Sequence, residues 1–157
     1  MTYPVSITHG YSLSGGLSQD AALVGSLITN VQISISNTVS YGNPSNQLTN
    51  LFSECSSEGW DGYGATAIHT DTFRNASRFL QSLPFYLLSP DISPEPDGHV
   101  AFEWYYEPRR VVTISISPEG YLHFAALIGS KKRCGSELFL GEISEDILNI
   151  IRQVIEK

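Results

Sequence analysis

The chain has 157 residues, 41% of them hydrophobic and 11% aromatic, and a formal net charge of −7. That length and apolar content predict one domain with its own core and exclude a chain that is disordered throughout. With 16 acidic residues, 9 basic ones and no Lys or Arg before Arg74, the charge argues against nucleic acid, whose phosphates are bound by clustered cations.

The basic residues that could meet nucleic acid form two short groups, Arg109-Arg110 and Lys131-Lys132-Arg133. Each group lies at a predicted strand end, where charged side chains are usually solvated. Nucleic-acid binding is therefore kept as a third alternative only. An acidic surface fits a protein partner better, in particular a basic one.

Two stretches bear on secretion and membranes. Residues 1–4 lack the positive region of a secretory signal. Residues 21–35 are partly apolar but contain Gly25, Thr29, Asn30 and Gln32, whereas a membrane span needs about 20 mostly apolar residues. We therefore expect a cytoplasmic protein with no membrane partner.

Residues 1–42 differ in composition from the rest of the chain. They are rich in Ser, Gly, Thr and Asn and contain no basic residue. Residues 31–36 alternate apolar and polar side chains, which is typical of a half-buried strand. This pattern predicts either a strand-bearing N-terminal extension or a mobile arm, followed by an α+β domain over residues 43–157.

Three later segments have the periodicity of helices. Asn43-Pro44 predicts the first start, with a cap followed by proline at the first helical position. The second helix is predicted to begin near Thr70-Asp71 and to stop before Pro84. Ser144 is a good cap for the third. The apolar stripe predicted for the second helix consists of Phe73, Ala76, Leu80 and Leu83, with Phe79 flanking it.

The strands are predicted between the second and third helices. Residues 84–98 hold four prolines and predict a connector, because proline is excluded from central strands. Alternation over residues 100–107 and 112–117, an apolar run at 121–128 and a short run at 137–140 predict strands joined by tight turns. The predicted fold is α+β, a three- to four-stranded antiparallel meander packed on one face by helices.

The stretch Gly-Trp-Asp-Gly-Tyr-Gly-Ala at residues 59–65 is the most distinctive segment. It lacks the lysine of a phosphate-binding loop and does not follow a strand. Trp60 and Tyr63 can pack beneath the turn while Asp61 accepts hydrogen bonds from nearby N–H groups. A direct role in binding stays open as well, since loops between rigid elements often carry function.

Two sets of side chains are candidates for function. A small hydrolase would use Asp61, His69, Glu103 and His123 near the 59–65 loop, with Glu103 and His123 as a carboxylate–imidazole general base. A binding surface would use Trp60, Asp61, Tyr63, Trp104 and Tyr105, because Trp and Tyr are frequent at interaction hot spots. No cofactor is expected, and no metal site, since the histidines lack the close ligand pairs of zinc sites.

One resemblance follows from these residues. The run at 59–65, a helix ending Phe79-Leu80-Gln81-Ser82-Leu83-Pro84, and Pro94-Glu95-Pro96-Asp97-Gly98 before Phe102-Glu103-Trp104 resemble a set of small uncharacterised bacterial proteins with a WDGYGA-type loop. The similarity covers about residues 45–156. It implies a bacterial or mobile-element source and these boundaries, and it carries over no catalytic residue.

The acidic charge and the lack of a catalytic motif favour a non-enzymatic interaction module. We expect a protein of the immunity, antitoxin or inhibitor kind that binds another protein. The small hydrolase is the alternative.

Overall fold

The computed structural model describes residues 43–156, so the predicted extension over residues 1–42, with its strand at 31–36, lies outside the described residues. Three helices and five strands follow one another along the described chain. The five strands form a single antiparallel sheet in the order β1-β2-β3-β4-β5, an α+β meander. In chain order the elements are α1 (Pro44–Cys55), α2 (Thr70–Ser82), β1 (Asp91–Pro94), β2 (Val100–Glu107), β3 (Arg110–Ile116), β4 (Tyr121–Ile128), β5 (Lys131–Leu138) and α3 (Glu145–Ile155).

The sheet has five strands, so the predicted count of three or four was too low. The additional strand is β1, inside the segment predicted to be a proline-rich connector; its Ile92 pairs with Phe102 and its Pro94 with Val100. Proline is tolerated there because an edge strand needs hydrogen-bond donors on its inner side only. The prolines excluded a central strand but not an edge strand.

At the opposite edge, β5 begins at Lys131, several residues earlier than the strand predicted at 137–140. Ile128 pairs with Lys131, and Gly129, with a φ of 65°, makes the turn between them. Cys134 lies inside this strand and is exposed. Charged side chains are common at a sheet edge because they discourage pairing with another chain.

The predicted helix starts are confirmed. The Asn43 side chain accepts a hydrogen bond from the Ser45 N–H at 2.9 Å, and the Ser144 hydroxyl accepts one from the Ile147 N–H at 3.3 Å. Helix α2 begins at Thr70, but its cap residue is His69, which makes no side-chain capping bond.

Helix α2 packs against the core through the predicted stripe, but Phe79, predicted to flank it, is buried more deeply than Phe73, Leu80 and Leu83. Its buried residues are Thr72, Ala76 and Phe79, whereas Phe73 and Leu80 are only half-buried. The apolar residues Phe73, Ala76, Phe79 and Leu80 all fall on one side of the helix, so periodicity alone did not fix which of them lies innermost. Tertiary packing decides it: the Phe79 ring lies 5.0 Å from Phe102 and 5.9 Å from Phe139, measured between ring centroids.

One hydrophobic cluster joins the helices to what we call the first face of the sheet. Helix α3 contacts β2, β3 and β4, and α2 contacts β2 and β3. Each fully buried aliphatic side chain in such a cluster contributes about 1.5–3 kcal/mol. The strand residues in it are Val100, Phe102, Trp104, Val112, Ile114, Ile116, Leu122 and Ala126, and the α3 residues are Ile147, Ile150, Ile151 and Val154.

Side chains of the opposite parity form the second face of the sheet. Across the strands, Asp91, Glu103, Thr113, Ala125 and Cys134 pair in one row. The neighbouring rows are Tyr105-Val111-Leu127-Lys132 and Ala101-Ser115-His123-Ser136. Apart from Ala101, all these residues are half-buried or exposed, and among the described residues none belongs to the hydrophobic cluster. Within residues 43–156, no helix is long and apolar enough to cross a bilayer.

Candidate functional site: the 59–65 loop and the second face

The 59–65 loop is closed by its own backbone and by Asp61. The Gly59 N–H donates to the Ala65 carbonyl at 2.7 Å, and Gly59, Gly62 and Gly64 all have positive φ. The Asp61 carboxylate accepts the N–H groups of Tyr63 at 2.8 Å and Ala65 at 3.0 Å. These two backbone N–H groups lower the pKa of Asp61. Asp61 thus holds together the turn that contains it.

The two aromatic residues of the loop have different surroundings. Trp60 packs against the hydrophobic cluster and donates its indole N–H to the Thr66 carbonyl at 3.1 Å. Tyr63 is 95% exposed. Of the predicted loop contacts, Tyr63 is therefore the side chain that a partner could reach directly.

Replacing Asp61 with Asn is expected to change how stability depends on pH. The folded-state pKa of Asp61 is lowered, so the ionised carboxylate stabilises the fold above its unfolded pKa of about 4, and this contribution is lost as pH falls through the folded-state value. D61N should therefore unfold at lower urea than the wild type at neutral pH, and the gap should narrow in acid. Urea titrations at about pH 7 and pH 3 measure both gaps.

Glu142→Gln is a suitable control, because Glu142 is also an exposed carboxylate but makes no side-chain hydrogen bond or ion pair among the described residues. E142Q should track the wild type at both pH values. A D61N gap of equal size at both would contradict the role of the ionised carboxylate.

The four residues of the hydrolase alternative are not joined to one another. Glu103 accepts a hydrogen bond from the Thr113 hydroxyl at 2.9 Å, and His123 Nδ1 lies 2.6 Å from the Ser136 hydroxyl. His69 caps α2 through its backbone. Glu103 and His123 do share the second face, but β3 lies between their strands and their rows differ. Within residues 43–156, no hydrogen bond or ion pair connects any two of the four.

Trp104 and Tyr105 lie on opposite faces, as their parity predicts. Trp104 is 3% exposed, and its indole N–H donates to the Leu88 carbonyl at 2.7 Å, so it belongs to the core. Tyr105 is 58% exposed on the second face. Of this aromatic pair, Tyr105 is the residue positioned to contact a partner.

Next to Tyr105 the second face is apolar. A shallow depression of about 340 Å³ lies over the start of β3, the end of β4 and the start of β5. Aliphatic side chains and the exposed thiol of Cys134 are among the groups that line it. The residues that line it are Val111, Thr113, Ala125, Ala126, Leu127, Lys132, Arg133 and Cys134. Because these residues come from three strands, the sequence pattern did not group them.

At the other end of the second face lies a group that we did not predict. Glu95, Asp97 and His99 occupy the β1–β2 turn, and their ligand atoms all lie within 4.8 Å of one another. The His99 ring is stacked on His123, 5.7 Å away with an interplanar angle of 5°. The spacing of the histidines gave no sign of this group; the signal in the sequence was the alternate spacing Glu-x-Asp-x-His at residues 95–99.

Comparison with known protein families, with curated protein sequences and with solved structures finds no match to this chain. The resemblance to the WDGYGA-type bacterial proteins therefore stays a prediction. The proposed function therefore rests on the chemistry of the described side chains.

Proposed function

We propose that this chain is a non-enzymatic interaction module that binds another protein through the second face of its sheet, in the manner of small immunity, antitoxin or inhibitor proteins. The observation that carries the proposal is the apolar character of that face. Tyr105, Val111, Ala125 and Leu127 are half-buried or exposed there although they lie side by side on three strands. Contiguous exposed apolar side chains are typical of protein contact sites.

The composition of the patch supports a protein partner. Tyr105 stands beside the aliphatic depression, and an aromatic anchor next to an apolar hollow is the usual arrangement at interaction hot spots. A small-molecule site is usually enclosed, with converging polar groups. The depression on this sheet is shallow and open, and a broad partner surface fits it better.

On the β1–β2 side of the patch, charge supports cationic side chains on the partner, whereas Lys132 and Arg133 line the β5 side. Asp91 and Glu103 lie beside the apolar patch on the β1–β2 side, and no Lys or Arg of the described residues forms an ion pair with either. The whole chain has a net charge of −7. A partner that places cationic side chains next to these carboxylates would gain orientation and a faster association.

The hydrolase alternative has no comparable support. Asp61 is engaged by its own loop, and Glu103 and His123 have separate hydroxyl partners. A general base needs its proton donor within hydrogen-bond reach. Within residues 43–156, the side chains of Asp61, Glu103 and His123 have separate hydrogen-bond partners and share none that would join them in one catalytic site.

The test compares three lysine substitutions in the full chain. Tyr105→Lys removes the aromatic anchor and adds a positive charge to the second face. Tyr63→Lys makes the same change at an aromatic that is 95% exposed in the loop, and Leu140→Lys changes an apolar residue that is 80% exposed outside both regions. Complexes are captured from native cells, and the affinity of each variant for the stoichiometric partner is then measured with purified proteins.

We expect Y105K to weaken binding by about 30-fold or more, as for a hot-spot residue. L140K should change the affinity by less than about threefold. Raised salt should weaken the wild-type complex, because surface charges are screened. Failure to recover any stoichiometric partner, or a Y105K affinity equal to that of the wild type, would contradict the proposal. A loss confined to Y63K would place the contact in the loop instead.

A further inference from the structure

The β1–β2 turn that carries Glu95, Asp97 and His99 is rigid. The Glu95 N–H donates to the His99 carbonyl, and the Gly98 N–H to the Glu95 carbonyl, both at 3.0 Å. Gly98 has a φ of 85°, which suits glycine in such a turn. The Pro96 carbonyl accepts the Thr66 N–H at 2.8 Å. The turn is therefore fixed both internally and against the segment that follows the 59–65 loop.

The three side chains are also held close together. The Ser115 hydroxyl donates to Glu95 and lies 3.1 Å from His99 Nδ1. Asp97 Oδ2 is 3.6 Å from the same nitrogen. An ion with bonds of about 2.1 Å holds tetrahedral ligands about 3.4 Å apart. Small rotations of the two carboxylates would bring separations that are now within 4.8 Å into that range.

Negative charge at this turn has no Lys or Arg partner among the described residues. No Lys or Arg there lies within ion-pair distance of Glu95 or Asp97. The carboxylate of Glu119 adds to the group: its pKa is lowered by its own backbone N–H and the Ser117 hydroxyl, and also by His99 and His123. Carboxylates gathered around imidazoles in this way are a ready set of ligands for a cation.

A second imidazole lies next to the turn. His123 is stacked on His99, and its Nδ1 is engaged by the Ser136 hydroxyl, which leaves Nε2 for another contact. A hydroxyl partner on one ring nitrogen fixes the orientation of the ring, as partners of metal-bound histidines commonly do. The residues thus come from two separate parts of the sheet, the β1–β2 turn and β4.

We propose that Glu95, Asp97 and His99 bind one divalent zinc ion, with the His123 ring stacked beside His99. Mixed imidazole and carboxylate ligands suit zinc, whereas magnesium and calcium prefer oxygen alone. The site is separate from the apolar patch around Tyr105, and the proposal does not depend on a protein partner.

The test is calorimetric titration of zinc chloride into the full-length protein without a polyhistidine tag. The wild type should bind one equivalent, and both His99→Gln and Asp97→Asn should weaken the affinity by about tenfold or more, the scale on which changes around bound metals act. Magnesium should not compete. His69→Gln is the matched control, because His69 is exposed and its side chain makes no capping bond; its affinity should stay within about twofold of the wild type.

The outcomes are distinguishable. Absence of zinc binding to the wild type would overturn the proposal, as would equal affinities for the wild type, H99Q and D97N. If H99Q fails to fold by circular dichroism, D97N decides, since the Asp97 side chain is 64% exposed and contributes little to packing. A loss in H69Q as large as in H99Q would place the ion elsewhere and also overturn the assignment.

Discussion

Replacing Phe79 with Ala is expected to lower the free energy of unfolding by about 3–5 kcal/mol. Phe79 is fully buried, and its ring packs between Phe102 on β2 and Phe139 after β5. Removing it takes apolar atoms out of the core and leaves a cavity that the close-packed neighbouring side chains cannot fill without strain. Urea denaturation of the full chain measures the change. The only two tryptophans of the chain, Trp60 and Trp104, lie within the described domain and report its unfolding by fluorescence.

Phe85→Ala is the matched control for this prediction. It makes the same chemical change at a side chain that is 100% exposed, so its effect should stay within about 0.5 kcal/mol. Phe79→Leu, which keeps most of the volume, should lose less than Phe79→Ala. Similar losses in F79A and F85A would show that α2 does not pack on the sheet through Phe79.

Replacing Gly98 with Ala is expected to lower the free energy of unfolding by about 2–3 kcal/mol. The residue has a φ of 85°, where an L side chain is strained, and an added Cβ would lie 3.0 Å from the Ala67 carbonyl oxygen and 3.2 Å from Thr66 Cγ2. The first of these neighbours is backbone and cannot rotate away. Urea denaturation followed by tryptophan fluorescence gives the loss.

Gly129→Ala separates the two causes. Gly129 also has a positive φ, 65°, but an added Cβ there meets nothing within 4 Å. Its loss should be about 1 kcal/mol, from backbone strain alone. Equal losses at the two positions would mean that the contact between the β1–β2 turn and residues 66–67 is looser than the structure has it.

The helices were the most predictable elements because their signals are local. Asn43 and Ser144 are capping residues, and each accepts a hydrogen bond from its own first turn. The stripe of α2 was less predictable. Its apolar side chains all fall on one side of the helix, and only the rings of Phe102 and Phe139, which are distant in sequence, select Phe79 as the innermost residue.

The three inner strands were predicted from alternation or from a run of apolar residues. Neither edge strand was predicted with its observed bounds. Proline made β1 look like a connector, although an edge strand tolerates it. Charged residues made the start of β5 look like a strand end, although an exposed edge favours them. Proline and charged residues are tolerated in a strand when no further strand pairs with its outer side. The sequence of a single strand does not show whether such a neighbour exists.

The candidate sites depended still more on tertiary contacts. Alternation along β2 places Trp104 and Tyr105 on opposite sides of the sheet. It does not show which of the two side chains points toward the helices. The hydrolase alternative required Asp61 to lie near histidines that are distant in sequence, and the sequence does not fix those distances. Asp61 instead accepts hydrogen bonds from its own loop. The group around Glu95 and His99 becomes visible only when the β1–β2 turn meets His123 on β4.

By itself, the sequence determined the helix starts, the three inner strands, the turn chemistry and the acidic balance, because caps, alternation, glycine and charge act through neighbours along the chain. Tertiary structure alone decided the orientation of α2, the two edge strands, the exposure of Tyr105 and the meeting of Glu95, Asp97 and His99 with His123. Each of these depends on which distant residues come into contact, and burial and electrostatic energies act through distance in space.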